Sequence, residues 1–115
     1  MSRMQFTQKF ILLMSAFLLI AFSPLTAQAL TLVNATSSQI SAIYISDSGT
    51  DDWEENIIEG YILPPGNKID VQIQGSYQNF DLRIESTDGG EEDYIKFPGK
   101  TTYIEFKGAG NSNYR

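Results

Sequence analysis

The chemistry-bearing residues of this chain are carboxylates, and they are unevenly placed. Eleven of the fourteen acidic side chains fall in two stretches, Asp47, Asp51, Asp52, Glu54, Glu55 and Glu59 in the first and Glu85, Asp88, Glu91, Glu92 and Asp93 in the second. Clustered hard oxygens are what Ca²⁺ takes, about six to eight at a time. Asp47, Asp51, Asp52 and Glu54 are therefore the candidate metal ligands. Their spacing departs from the alternating Asp loop closed by a distal Glu, and Asp51 and Asp52 point apart on an extended chain, so a solvated acidic loop is the simpler expectation. Paired carboxylates also hydrolyse glycosides, but that needs a cleft wide enough to hold them about 5 to 10 Å apart across a sugar. A domain this short has little material to build one.

Other reactive groups are scarce. The 115 residues contain no Cys and no His, which removes thiol nucleophiles, disulfides, Cys-ligated metals and the commonest general base. Ser46, Ser48 and Ser76 consequently lack a histidine partner, and Lys68 and Lys96 stand at no spacing that would replace one. The formal charge of −6 comes without a Lys/Arg cluster, which argues against nucleic acid as a partner. A non-enzymatic role is expected.

The aromatic residues offer a second kind of site. Trp53, Tyr44, Tyr61, Tyr77, Tyr94 and Tyr103 are many for this length, and exposed rings stack on sugar faces or anchor protein partners. Tyr94 and Tyr103 are expected on the outer face of adjacent strands, and Trp53 is expected to fold back over one end of the domain. Arg83 is a candidate anion-binding residue, with Asp81, Asp70 or Glu105 as alternative cross-strand partners. The candidate ligand-binding set is thus Trp53, Tyr94, Tyr103 and Arg83.

Alternating side chains must position these groups. Lys68–Gln74 places Ile69, Val71 and Ile73 on one face, and Asn79–Glu85 does the same with Phe80, Leu82 and Ile84. Further strands are expected over Leu30–Asn34 and Ile40–Ser46, briefly between Ile57 and Leu63, and around Ile95 with Phe97 and Ile104 with Phe106. Turns fall at Pro64-Pro65-Gly66-Asn67, Asp88-Gly89-Gly90 and Pro98-Gly99-Lys100. Helix should amount to one turn at most, within Thr50–Asn56. Six to seven short strands with such turns indicate a small antiparallel β-sandwich of immunoglobulin-like type, with a small closed β-barrel as the alternative.

The first 29 residues stand outside this pattern. Arg3 and Lys9 precede an apolar run, Phe10–Phe22, and then Pro24 and Ala27-Gln28-Ala29, the three parts of a cleavable secretory signal of bacterial style. The run is shorter than the roughly 20 residues a membrane span needs, so no stable membrane insertion is expected after cleavage. The expected organisation is a signal peptide over 1–29, a β-sandwich domain over 30–108 and a flexible tail over 109–115. The mature chain carries six basic and fourteen acidic side chains, or −8, and its expected location is periplasmic or extracellular.

The order of landmarks Asn34-Ala35-Thr36, Ile43-Tyr44-Ile45-Ser46, Ser48-Gly49, Trp53, Asn56-Ile57-Ile58, Leu63-Pro64-Pro65-Gly66, Phe80-Asp81-Leu82-Arg83 and Asp88-Gly89 resembles a family of short exported bacterial β-sandwich proteins. The resemblance spans the mature domain and departs at Glu54, where glycine commonly follows the tryptophan. It implies the fold and the export and supplies no reaction. The expected function is that of an exported module binding an envelope protein or a glycan through its loops or outer sheet. A structural subunit assembling through sheet edges and a Ca²⁺-stabilised acidic-loop domain are the alternatives.

Overall fold

The computed structural model describes residues 27–115. The leader expected over 1–29 lies outside them except for Ala27–Ala29, which open the first strand. Seven strands follow in order: β1 (Ala27–Asn34), β2 (Ile40–Asp47), β3 (Lys68–Gln74), β4 (Asn79–Ser86), β5 (Glu91–Pro98), β6 (Tyr103–Gly108) and β7 (Asn111–Tyr114). They form a four-stranded sheet, β3-β1-β6-β7, and a three-stranded sheet, β2-β4-β5. Neighbouring strands run antiparallel except β1 and β6, which are parallel. The sheets do not close into a barrel, and the fold is a small β-sandwich.

Period-two alternation builds the core between the sheets. Leu30, Leu32, Val71, Ile73, Ile104 and Phe106 face inward from the four-stranded sheet, and Ile43, Ile45, Phe80, Leu82, Ile84, Tyr94 and Phe97 from the other. Burying each such side chain contributes about 1.5 to 3 kcal/mol. In a small domain without cysteine this layer is the main source of stability.

Two turns show why particular residues stand where they do. Gly66 has φ +82° at the third position of the Pro64–Asn67 turn, whose Asn67 N–H donates to the Pro64 carbonyl at 3.1 Å. That is the type II geometry, in which this position favours glycine. Gly99 is fixed by space instead: a Cβ there would run into the backbone carbonyl oxygen of Tyr77.

Among the described residues there is no helix, within the expected limit of one turn. Several other expectations are corrected. The stretch from Ile57 to Leu63 is not a strand but a looped segment held along the edge of β2 by isolated bridges, Tyr44 with Asn56 and Ile40 with Leu63. Its polar positions and turns at 57–60 interrupt the ladder a strand requires. The segment expected as a flexible tail contains β7, paired with β6. Asn111-Ser112-Asn113-Tyr114 has no apolar alternation, so the strand was invisible to periodicity. Its order comes from tertiary contacts: the Tyr114 ring meets the edge of Phe97 at 5.3 Å, and the preceding turn is tied to β5.

The inward phase of β5 also differs. Ile95 is 61% exposed while Tyr94 and Phe97 are each 1% exposed. A bulge opposite Asp81 inserts one residue between the pairs Leu82/Tyr94 and Phe80/Phe97, and Lys96 takes φ +64° there. The extra residue flips the alternation, so two residues three apart both face the core.

Candidate functional site

The outer face of the three-stranded sheet gathers two of the four candidate ligand-binding residues. Tyr44 on β2, Arg83 on β4 and Asp93 on β5 lie in one cross-strand row. Arg83 donates from Nε to Asp93 Oδ1 at 2.7 Å and from Nη2 to Asp93 Oδ2 at 3.0 Å, a bidentate fork, with Glu91 Oε2 3.9 Å from Nε. Trp53 lies on the guanidinium, its ring centroid 4.4 Å from Arg83 Cζ. A planar cation held by a carboxylate fork and stacked on indole is oriented on two sides at once. The Arg83 hydrogen bonds hold the Asp93 carboxyl below its ordinary range against the opposing effect of burial, and the same pairing shifts Arg83 upward.

The loop after β2 delivers Trp53 to this place. Thr50 N–H donates to the Asp47 carbonyl at 3.1 Å, the hydroxyls of Ser46 and Thr50 meet at 2.9 Å, and Glu54 N–H returns to the Ile45 carbonyl at 2.8 Å. The chain therefore doubles back along β2 rather than covering an end of the sandwich, and Trp53 remains half-exposed. Glu54, which stands where the resemblance leads one to expect glycine, accepts a hydrogen bond from the Tyr77 hydroxyl at 3.0 Å. Burial first, and then this bond, push the Tyr77 hydroxyl up to about 12.

The other candidates separate. Tyr94 is a core residue rather than an outer-face one, packed on Phe106 at 4.8 Å between centroids. Its hydroxyl donates to Glu92 Oε1 at 2.8 Å and accepts from Gly108 N–H at 3.0 Å, while Glu92 Oε2 accepts from Ala109 N–H at 3.0 Å. Burial and the Glu92 bond shift this hydroxyl upward. Tyr103 lies on β6 of the other sheet, alternating with buried Ile104, so it faces the opposite side of the molecule. Arg115 Cζ sits 4.0 Å from its ring centroid. Asp70 and Glu105, expected as partners of Arg83, belong to that sheet too. Asp81 accepts instead from Ser48 Oγ at 2.6 Å and Lys96 N–H at 2.8 Å, which fastens the β5 bulge.

The acidic loop does not assemble a metal site. Among the described residues no three His, Cys, Asp or Glu side chains converge on a position that could hold an ion, so Asp47, Asp51, Asp52 and Glu54 are not brought together as Ca²⁺ ligands. A cleft of about 610 Å³ lies at one end of the sandwich by Tyr77, Phe80, Pro98 and Gly99 and has no carboxylate in its lining.

Sequence reasoning missed Asp93 and Tyr44 as members of the site. Counting outward from Asp88-Gly89 as a two-residue turn would set Arg83 opposite Tyr94; the hairpin instead closes at Ser86 and Gly90, and that one-residue difference sets Arg83 opposite Asp93. Most other landmark polar residues pin backbone. Asn34, fully buried, donates to the carbonyls of Ser38 at 2.8 Å and Leu63 at 2.9 Å and accepts from Thr36 N–H and hydroxyl. Asn56 Oδ1 accepts from Ile43 N–H at 3.0 Å and Ile58 N–H at 3.1 Å. Searched against protein-family models, curated proteins and solved structures, the chain matches none.

Proposed function

We propose that the protein is an exported, non-enzymatic binding module whose three-stranded sheet docks a basic protein surface of the cell envelope. The observation that carries this reading is the Trp53–Arg83–Asp93 stack on an open sheet face. Trp, Tyr and Arg are the residue types that dominate binding energy at protein interfaces, and here Trp53, Tyr44 and Arg83 stand together. The stack pins no backbone, in contrast to Asn34, Asn56 and Asp81. Asp81, Glu85, Glu91 and Asp93 flank it in the register of β4 and β5, so the face is acidic around a single held cation. That charge favours a basic counterpart and speeds encounter with it. A glycan is supported less well, because Tyr94 is buried and Tyr103 faces the other way, leaving no shared plane of rings.

Export rests on the leader pattern alone. Cleavage after Ala29 would leave β1 paired from Leu30 to Val33 with β3 and remove three pairs, Ala27 to Ala29 with Gln72 to Gln74. The product recovered from outside the cytoplasm should begin at Leu30 by N-terminal sequencing; retention in the cytoplasm with Met1 intact would refute the export. The binding face is tested by affinity capture from an envelope extract. A partner retained by the wild-type product should be lost with both Trp53→Ala and Arg83→Ala and kept with Tyr103→Ala. Equal retention by all three variants would refute the assignment of the face.

A further inference from the structure

Ala27, Gln28 and Ala29 are built into the sandwich at one end. On one side they pair with Gln72–Gln74 of β3, and on the other they lie beside the connection from β5 to β6, reached through Thr101. Asn34 N–H donates to the Asn67 carbonyl, and bonded pairs recur at every second residue of an antiparallel ladder, so Gln28 is the residue that exchanges backbone bonds with Ile73. Its half-buried side chain shares the inward face with Leu30 and Leu32 and donates from Nε2 to the Thr101 carbonyl at 2.6 Å. Ala27 and Ala29 alternate with it and are exposed.

Removing these three residues leaves a slot rather than a smooth end. One wall is β3, where the Ile73 N–H and carbonyl lose Gln28, and the other holds the Thr101 carbonyl, which loses the Gln28 amide. With Gln28 in place both Ile73 and Thr101 are buried, so the bereft groups lie at the margin of the core, where an unmade hydrogen bond is costly. The inner end is closed by Leu30, whose nitrogen becomes an α-ammonium group with an ordinary pKa of about 8, charged at neutral pH. The outer end opens into the cleft by Tyr77, Phe80 and Pro98, whose lining includes Lys100 and no carboxylate although the chain is acidic overall.

These features fix the chemistry of an occupant. A strand bonded to Ile73 in this slot has to stop at Leu30, so it is the end of a chain. Run in the sense of β1, it brings a carboxylate to the Leu30 ammonium; run the other way, it sets ammonium against ammonium. We propose that cleavage after Ala29 opens a binding slot for the free C-terminus of a partner polypeptide, taken up as an extended strand in the place of Ala27-Gln28-Ala29. Backbone bonds to Ile73 hold it, and its last residue but one is selected, because that side chain points inward to the Thr101 carbonyl and needs an N–H donor, as Gln28 has. The inference rests on the cleavage proposed above and makes no use of the Trp53 face.

The product purified after expression of the full chain is weighed by native mass spectrometry and then, isotope-labelled, titrated with the peptide acetyl-Ala-Gln-Ala by heteronuclear NMR. The expected mass is that of residues 30–115 alone. Saturable shifts are expected at the amides of Ile73 and Thr102, with a dissociation constant of about 1 mM or tighter. The same peptide with an amidated C-terminus should bind at least about fivefold more weakly for want of the carboxylate, and acetyl-Ala-Leu-Ala similarly for want of the donor. A product that begins at Leu30 but shows no saturable shift at Ile73, or that binds the three peptides equally, would overturn the slot and leave the cleavage standing. A leader fragment held noncovalently in the native mass would overturn the assignment to a partner. A product that still carries Met1 would overturn the cleavage and the slot together.

Discussion

Asn34 and Arg83 each make several polar contacts, and they spend them differently. Asn34 is wholly buried, and its side chain joins the end of β1 to Thr36, Ser38 and Leu63. Arg83 touches Asp93, Glu91 and Trp53, all side chains on an outer face. The first arrangement stabilises the fold, because polar groups taken out of water need partners. The second orders groups that water would otherwise solvate. The comparison separates landmark residues that hold the fold from those that present a surface.

The largest expected effect lies on the buried side. Asn34→Ala removes four hydrogen bonds, leaves the Leu63 carbonyl with Ile40 N–H alone and deprives Thr36 N–H of its acceptor; it should cost on the order of 3 kcal/mol, lowering Tm by roughly 15 °C in calorimetry. A change of only a few degrees would break the distinction. Tyr94→Phe keeps the ring against Phe106 but removes the hydroxyl that accepts the Gly108 N–H. It should cost about 1 to 2 kcal/mol, and faster amide exchange at Asn111–Tyr114 than elsewhere would place the loss at β7.

Smaller effects come from titration. The Asp93 carboxyl is depressed by Arg83, so its contribution is present above the ordinary carboxylate range and is lost as pH falls through its lowered folded value. Asp93→Asn should lower Tm slightly near neutrality, with the difference from the wild-type protein shrinking as pH falls below about 4, so that the acid limb is flatter. Tyr77 has the opposite sign. Raised from 10.0 to about 12, it contributes stability that is complete below pH 10 and lost as pH rises toward 12. Tyr77→Phe should flatten the alkaline limb in that interval, and an unchanged limb would show that the hydroxyl is neither buried nor held on Glu54 in solution.

Much of the fold was legible because it is written in alternation. β3 and β4 follow period two without fault, and the Asp88-Gly89 and Pro65-Gly66 turns carry the residues their geometry requires. What escaped depended on long-range pairing. The bulge at Lys96 is set by Asp81 on the neighbouring strand, and it moved Tyr94 from an expected outer position into the core and Ile95 out of it. β7 has a polar sequence and exists through β6, Tyr114 and the Glu92–Tyr94 anchor. The site was half legible: Trp53 and Arg83 were singled out by residue type, whereas their meeting depends on how the 48–56 loop returns along β2. Asp93 was not legible, because the hairpin closes at Ser86 and Gly90 rather than around Asp88-Gly89 alone, and a count from that dipeptide sets Tyr94 opposite Arg83.

The central claim is that the Trp53–Arg83 stack is a surface for a partner and not a support for the fold. Urea unfolding of the Trp53→Ala/Arg83→Ala double variant, followed by far-ultraviolet circular dichroism, tests it most directly. The expected result is an unchanged slope and a midpoint lowered by no more than the small Arg83–Asp93 contribution; a collapse of the midpoint comparable to that of Asn34→Ala would contradict it.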